Sequence, residues 1–127
     1  MVAFATYGTM AHSIVVVDDE PSFLDAAQSI LSQHPDVTVV GTATSGEQAL
    51  ELYSALRPDF VIMDVQMPGM NGFETARLLR REGADVRVVI ISAHDEPQYE
   101  AIARAAGAQG FMTKKAFLSD GIERFLS

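Results

Sequence analysis

Five polar residues stand at the ends of apolar runs: Asp18 and Asp19 after "IVVV", Asp64 after "FVIM", Ser92 after "VVII", and Lys114 after "GFMT". Three carboxylates brought together repel one another, and a hard divalent cation with oxygen ligands is the usual resolution; Mg²⁺, which keeps several of its waters, is the ion implied. A carboxylate ionised at pH 7 is already a nucleophile and needs no general base, and an aspartyl phosphate is a known covalent product of such groups. Phosphoryl transfer asks mainly for positioning and charge neutralisation, which Mg²⁺, the Lys114 ammonium and the Ser92 hydroxyl supply. Asp64 therefore reads as a phosphate acceptor. Taken singly, each residue has a plainer explanation. Asp18-Asp19-Glu20 before Pro21 caps a helix, Asp64 starts a turn, Ser92 caps the next helix, and Lys114 is a solvated charge. Those explanations do not account for carboxylates, a hydroxyl and an amine at the ends of four different runs.

The groups can act together only if the chain brings them to one place. From Ser13 onward, "SIVVV", "VTVV", "FVIM", "VVII" and "GFM" are rich in β-branched and aromatic residues without period-2 polarity, which predicts five strands covered on both faces. Segments of helical period separate them. Phe23, Ala26, Ala27, Ile30 and Leu31 mark a first helix, with Pro21 in its first turn and His34-Pro35 at its end. Ala49, Leu52, Tyr53 and Leu56 mark a second, behind a capping box from Ser45 to Gln48. Phe73, Ala76 and Leu79 mark a third, "QYEAIARAA" before Gly107 a fourth, and Ile122, Phe125 and Leu126 a fifth that runs nearly to Ser127. This alternation predicts an α/β fold: a doubly wound, five-stranded parallel sheet in the flavodoxin-like order 2-1-3-4-5, with helices on both faces. Ligands of such sheets bind outside the carboxyl ends of the strands, so Asp18, Asp19, Asp64, Ser92 and Lys114 are all sent to one edge.

The 127 residues suit one domain, over residues 13–127, with residues 1–12 set apart as an extension of native or cloning origin and no second domain expected. That extension lacks the charged and apolar regions of a signal peptide. No apolar run approaches the roughly 20 residues of a membrane span. A net charge of -8 argues against nucleic acid as the direct partner, since phosphate backbones are bound through clustered Lys and Arg. With no cysteine, disulfide and zinc-thiolate chemistry are closed, and a cytoplasmic location follows. Arg77, Arg80 and Arg81 read as a solvated face, and Met63, Met67 and Met70 as packing residues.

The motifs "VVVDDEP", "MDVQMPGMNGFE", "VVIISAHD" and "GAQGFMTK", in that order and spacing, resemble the receiver domain of bacterial two-component response regulators over Ser13 to Ser127. The resemblance is closest to receivers that precede helix-turn-helix output domains. It implies that Asp64 is the phosphorylated residue, that Asp19 binds Mg²⁺ directly, and that Asp18 holds metal-bound water. The Gln66 backbone carbonyl is implied as a further ligand, Ser92 as the switch hydroxyl, Lys114 as the phosphate-pairing lysine, and Phe111 as the aromatic that changes rotamer. Two residues depart from the family pattern: Lys115 stands where many receivers have proline, and Phe111 lacks a tyrosine's hydroxyl.

The implied donor is a histidine kinase or a histidine phosphotransfer protein. The output is a changed surface that binds a downstream protein or effector domain, or that pairs two receivers. The domain then modifies and demodifies itself and is not a turnover enzyme. A magnesium-dependent aspartyl-phosphate hydrolase is a competing class. Such haloacid-dehalogenase-like enzymes usually need a second acid two residues after the nucleophile, where this chain has Gln66. A receiver-like interaction module that takes no phosphate is a third, against which the full acidic set argues.

Overall fold

The computed structural model of the chain describes residues 11–126. Five strands alternate with five helices: β1 (His12–Val17), α1 (Pro21–Ser32), β2 (Val37–Ala43), α2 (Gly46–Leu56), β3 (Phe60–Asp64), α3 (Gly72–Glu82), β4 (Arg87–Ser92), α4 (Tyr99–Ala105), β5 (Gly110–Thr113) and α5 (Lys114–Asp120). The strands form one parallel sheet in the order β2-β1-β3-β4-β5, the doubly wound order the alternation predicts. β1 begins at His12, so the strand takes in the last residue assigned to the N-terminal extension; residues 1–10 lie outside the described part.

Alternation along the strands divides the core. Val15, Val17, Val61, Met63, Val88 and Ile90 pack against α2, α3 and α4 through Ala49, Tyr53, Phe73, Ala76, Leu79 and Ala103. Ile14, Val16, Phe60, Ile62, Val89 and Ile91 face the other way, against Phe23, Leu24, Ala27 and Leu31 of α1 and Phe117 of α5. Each fully buried Val, Ile or Phe contributes about 1.5–3 kcal/mol. The register that sets the sheet's carboxyl edge is thereby held from both sides.

Three sequence-based expectations are corrected. "VTVV" belongs to β2, an edge strand with one half-covered face, and its register shifts opposite Ile14 and Val15 so that Val40 is skipped and stands exposed. Burial on both faces holds for β1, β3, β4 and β5, the last although it is also an edge strand, and fails for β2. The fifth helix starts earlier than Ile122, Phe125 and Leu126 suggest: α5 ends at Asp120, Gly121 turns the chain with φ 70°, and a separate 3₁₀ turn covers Glu123–Phe125. Ile122 is buried and Phe125 packs on the core, which gave the tail its helical spacing without a continuous helix. The box before α2 is half formed. The Gln48 amide donates to Ser45 Oγ, but the Gln48 side chain accepts from the Thr44 amide and hydroxyl. A complete box stands instead at α3, where Asn71 and Glu74 each accept from the other's backbone amide.

Candidate functional site

Pairing across the sheet places the polar groups. Val17 of β1 lies opposite Met63 of β3, so Asp18 and Asp64, each the next residue, leave the sheet side by side. Asp64 is in turn paired with Ile91, the residue before Ser92, and Ser92 is paired with Thr113, the residue before Lys114. Asp18 and Asp64 continue the alternation of Val16 and Ile62, toward α1 and α5, the side on which Lys114 opens α5. Ser92 and Phe111 continue that of Ile90, toward α3 and α4.

The loop after Asp64 owes its shape to its glycines. The Gly72 amide donates to the Val65 carbonyl at 2.9 Å, and a Cβ on Gly72 would overlap the Asp64 carbonyl oxygen, so only glycine lets α3 start this close to the acidic residue. Gly69 takes φ 76° in the turn between them.

Asp18 is 0% exposed and Asp64 4%, while Asp19 is open to solvent. One carboxylate oxygen from each of the three lies within 4.8 Å of those of the other two, a spacing that suits a single cation. Lys114 Nζ lies 2.7 Å from Asp18 Oδ2, 3.2 Å from Glu20 Oε1 and 3.6 Å from Asp64 Oδ2. Asp18 Oδ1 accepts from the Glu20 amide at 2.9 Å, and buried Asp18 Oδ2 has the Lys114 ammonium as its partner. A buried carboxylate beside two further carboxylates fits a hard oxygen-seeking cation and its water.

Burial raises the Asp64 carboxyl from 3.8 to about 6, with Asp18 and, more weakly, Asp19 adding to it; Lys114 and the Gln66 amide, which donates to the carboxylate, pull it down. Burial of Lys114 works against its charge. The hydrogen bond and charge of Asp18, with Asp64 and Glu20, outweigh that and hold the ammonium above the ordinary lysine value.

The plainer explanations fail for Asp18 and Ser92. No side chain caps α1, and Asp18 ties the loop before it. α4 begins at Tyr99 with Gln98 at its N-cap position and no side-chain cap, and Ser92 Oγ accepts from the His94 amide at 3.0 Å. Gln66 has an exposed side chain, and its backbone stands next to the cluster through the amide bond to Asp64. Phe111 is buried and edge-on to Tyr99 at 5.5 Å, which is edge-on to Phe73 at 5.6 Å. The peptide bonds of the described residues are all trans, including Lys114–Lys115.

Several contributors escaped the sequence reading. Glu20 reaches Lys114; Phe23 lies under it, ring centroid 4.7 Å from Nζ; Thr113 caps α5 by accepting from the Ala116 amide at 3.0 Å; and Tyr99 backs Phe111. Only Thr113 had a usable signal, a threonine directly ahead of a helix. Arg80, read as solvated, donates to the Val86 carbonyl at 2.7 Å.

A family profile described as the response regulator receiver domain matches residues 14–125. The chain is 40% identical over 104 residues to the nitrate/nitrite response regulator protein NarL of Escherichia coli K12, covering 80% of this chain and 47% of that protein. It is 36% identical over 102 residues to the transcriptional regulatory protein DegU of Brevibacillus brevis, covering 80% of this chain and 43% of that protein. The chain thus spans about half the length of the relatives it matches. The signal receiver domain of NarL from Mycobacterium tuberculosis superposes with a TM-score of 0.85 at 38% identity, covering 93% of this chain and 95% of that one.

Proposed function

The chain belongs to the response regulator receiver family of two-component systems, and from that membership we propose that Asp64 accepts a phosphoryl group from a histidine kinase or histidine phosphotransfer protein. The single observation that carries the assignment is the buried Asp64 carboxylate sharing one small space with Asp18, Asp19 and the Lys114 ammonium. An Asp64 oxygen attacks phosphorus, an O–P bond forms, and the P–N bond to the donor histidine breaks, its electron pair and a proton going to the leaving imidazole. Hydrolysis removes the group: water attacks phosphorus, the P–O bond to Asp64 breaks with its electron pair returning to the carboxylate, and inorganic phosphate leaves carrying the water's protons.

Bound Mg²⁺ would neutralise phosphoryl charge in this space. Asp19, Asp64 and the Gln66 backbone carbonyl would hold it, with Asp18 binding its water. The chain's own contribution is positional. Lys114, fixed at the start of α5 by the Thr113 cap, supplies a cation to the phosphoryl oxygens, and the Ser92 hydroxyl supplies a hydrogen bond. As Ser92 turns inward, Phe111 fills the space on the same face of the sheet, and the surface of α4, β5 and α5 changes. The domain is a switch that undoes its own modification, acting in the cytoplasm; no helix among the described residues is long and apolar enough to cross a membrane. Output lies with a protein partner or effector domain, as the transcriptional role in DegU's name suggests.

The test is incubation with acetyl phosphate and Mg²⁺ followed by intact mass. One added phosphoryl group, removed by hydroxylamine and missing in Asp64→Asn, is the expected result. An unmodified parent chain, or an equally modified Asp64→Asn, overturns the assignment.

A further inference from the structure

Glu20 has no part in the acceptor chemistry described above, yet it is one of only two carboxylates that hold Lys114 within 3.2 Å among the described residues. Its backbone is pinned. Its amide donates to Asp18 Oδ1, its carbonyl accepts from the Phe23 and Leu24 amides, and Pro21 follows it at the first position of α1. Its side chain does not cap α1 and is 64% exposed, but it crosses to accept a hydrogen bond from Lys114 Nζ. Asp64 Oδ2, at 3.6 Å, makes no hydrogen bond with that lysine. The Phe23 ring supports the ammonium from below. The lysine is therefore directed at Asp18 and Glu20 and falls short of the acceptor.

We propose that Glu20 is a positioning residue, a releasable latch that holds Lys114 off Asp64 in the resting site and competes with the phosphoryl group for its ammonium. The proposal rests on the acceptor reading of Asp64. A lysine's three donors could serve three acceptors, so the competition is one of charge and position: the Glu20 carboxylate draws the ammonium to its own side, and turning toward a phosphoryl oxygen while keeping Asp18 stretches the 3.2 Å Glu20 contact. An ion pair this exposed is weak, which suits a latch that an arriving dianion must open.

The test uses beryllofluoride with saturating Mg²⁺ as the phosphoryl stand-in, followed by amide NMR titration, and the Lys114 ε-methylene resonance in the metal-free chain. Glu20→Gln removes the charge at equal length. Glu20→Asp keeps the charge but withdraws its oxygens from Lys114. Asp25→Asn removes an exposed charge of α1 that does not touch the lysine. Both Glu20 variants are expected to bind beryllofluoride about two- to fivefold more tightly than the parent, the range an exposed ion pair allows. They also shift the Lys114 resonance, and Asp25→Asn does neither. The gap between parent and Glu20→Gln closes as salt rises. A parent that takes no beryllofluoride refutes the acceptor reading and leaves the lysine resonance to decide the latch. A Lys114 resonance unmoved in both Glu20 variants, or binding equal to the parent's or weaker, overturns the proposal.

Discussion

Burial and the Asp18 carboxylate make the Asp64 charge expensive for the fold, and the metal-free chain should show it. The Asp64 carboxyl is raised from 3.8 to about 6, so between those values the folded state binds more protons than the unfolded one. The contribution of this group is fully present below about pH 4, falls as pH rises through about 6, and stays lost above it. Asp64→Asn keeps the shape and removes the charge. At pH 7.5 without Mg²⁺ it is expected to melt a few degrees above the parent, on the order of 1 kcal/mol after allowing for solvent at the rim. The advantage should vanish near pH 4. Mg²⁺ should raise the parent's melting temperature and leave Asp64→Asn and Asp19→Asn largely unmoved, since each lacks a carboxylate of the cluster. A thermal melt series over pH, with and without Mg²⁺, checks all three. An Asp64→Asn variant less stable than the parent at pH 7.5 would show that the Lys114 attraction outweighs burial and repulsion.

Among the elements, α4 is the one with least to hold it. It has seven residues and Ala103 as its buried side chain, where α3 buries Phe73, Thr75, Ala76 and Leu79 and is closed by the Asn71–Glu74 box. Its hydrophobic anchorage comes from alanines, from half-buried Ile102 and from Tyr99 at its start, wedged between Phe73 and Phe111. Amide exchange in α4 is therefore expected to be much faster than in α3, by at least tenfold, since local opening energies follow buried apolar contact. Equal protection would remove α4 as the mobile part of the switch. The same physics decides what could be read from sequence. Asp18, Asp64, Ser92 and Lys114 were legible because each closes a run whose hydrophobicity betrays a strand buried on both faces, and strand ends in this topology converge. β2 read as buried because composition does not say which strand lies at the edge. α5 was displaced because Ile122 and Phe125 are buried at helical spacing across a break that only the φ of Gly121 makes. Glu20 was invisible as a partner of Lys114, since a contact across 94 residues has no local signature.

At the scale of the whole molecule, the acidic cluster and the surface that must report on it lie toward different faces of the sheet. Asp18 and Asp64 lean toward α1 and α5, and Ser92 and Phe111 toward α3 and α4. Beyond Phe111 is an open cavity of about 630 Å³ between the start of α4, β5 and α5, with Met112 and Ala116 in its wall and Asp95, Glu96, Glu100 and Asp120 around it. Phe111 and Arg124, which donates to the Phe111 carbonyl at 3.0 Å, both line it, so a repositioned Phe111 side chain alters the wall. Beryllofluoride with Mg²⁺ is thus expected to shift amide resonances from Ala93 to Leu126 more than those of β2 and α2. A few kcal/mol of differential contact is enough to change which arrangement prevails. Whether two copies then pair is a question of charge as well as shape. With a net charge of -8, each chain repels its like, and the acidic rim adds to this locally. Pairing through that rim should be suppressed at low ionic strength and strengthen as salt screens the repulsion, whereas a basic partner would bind less tightly. Sedimentation of the free and beryllofluoride-treated chain at low and high salt separates the two. A mass that doubles only at high salt indicates self-pairing through the acidic face. An unchanged mass with shifted resonances leaves the surface to a different protein. Resonances and mass that both ignore a demonstrably modified Asp64 would mean that the site stores phosphate without switching anything.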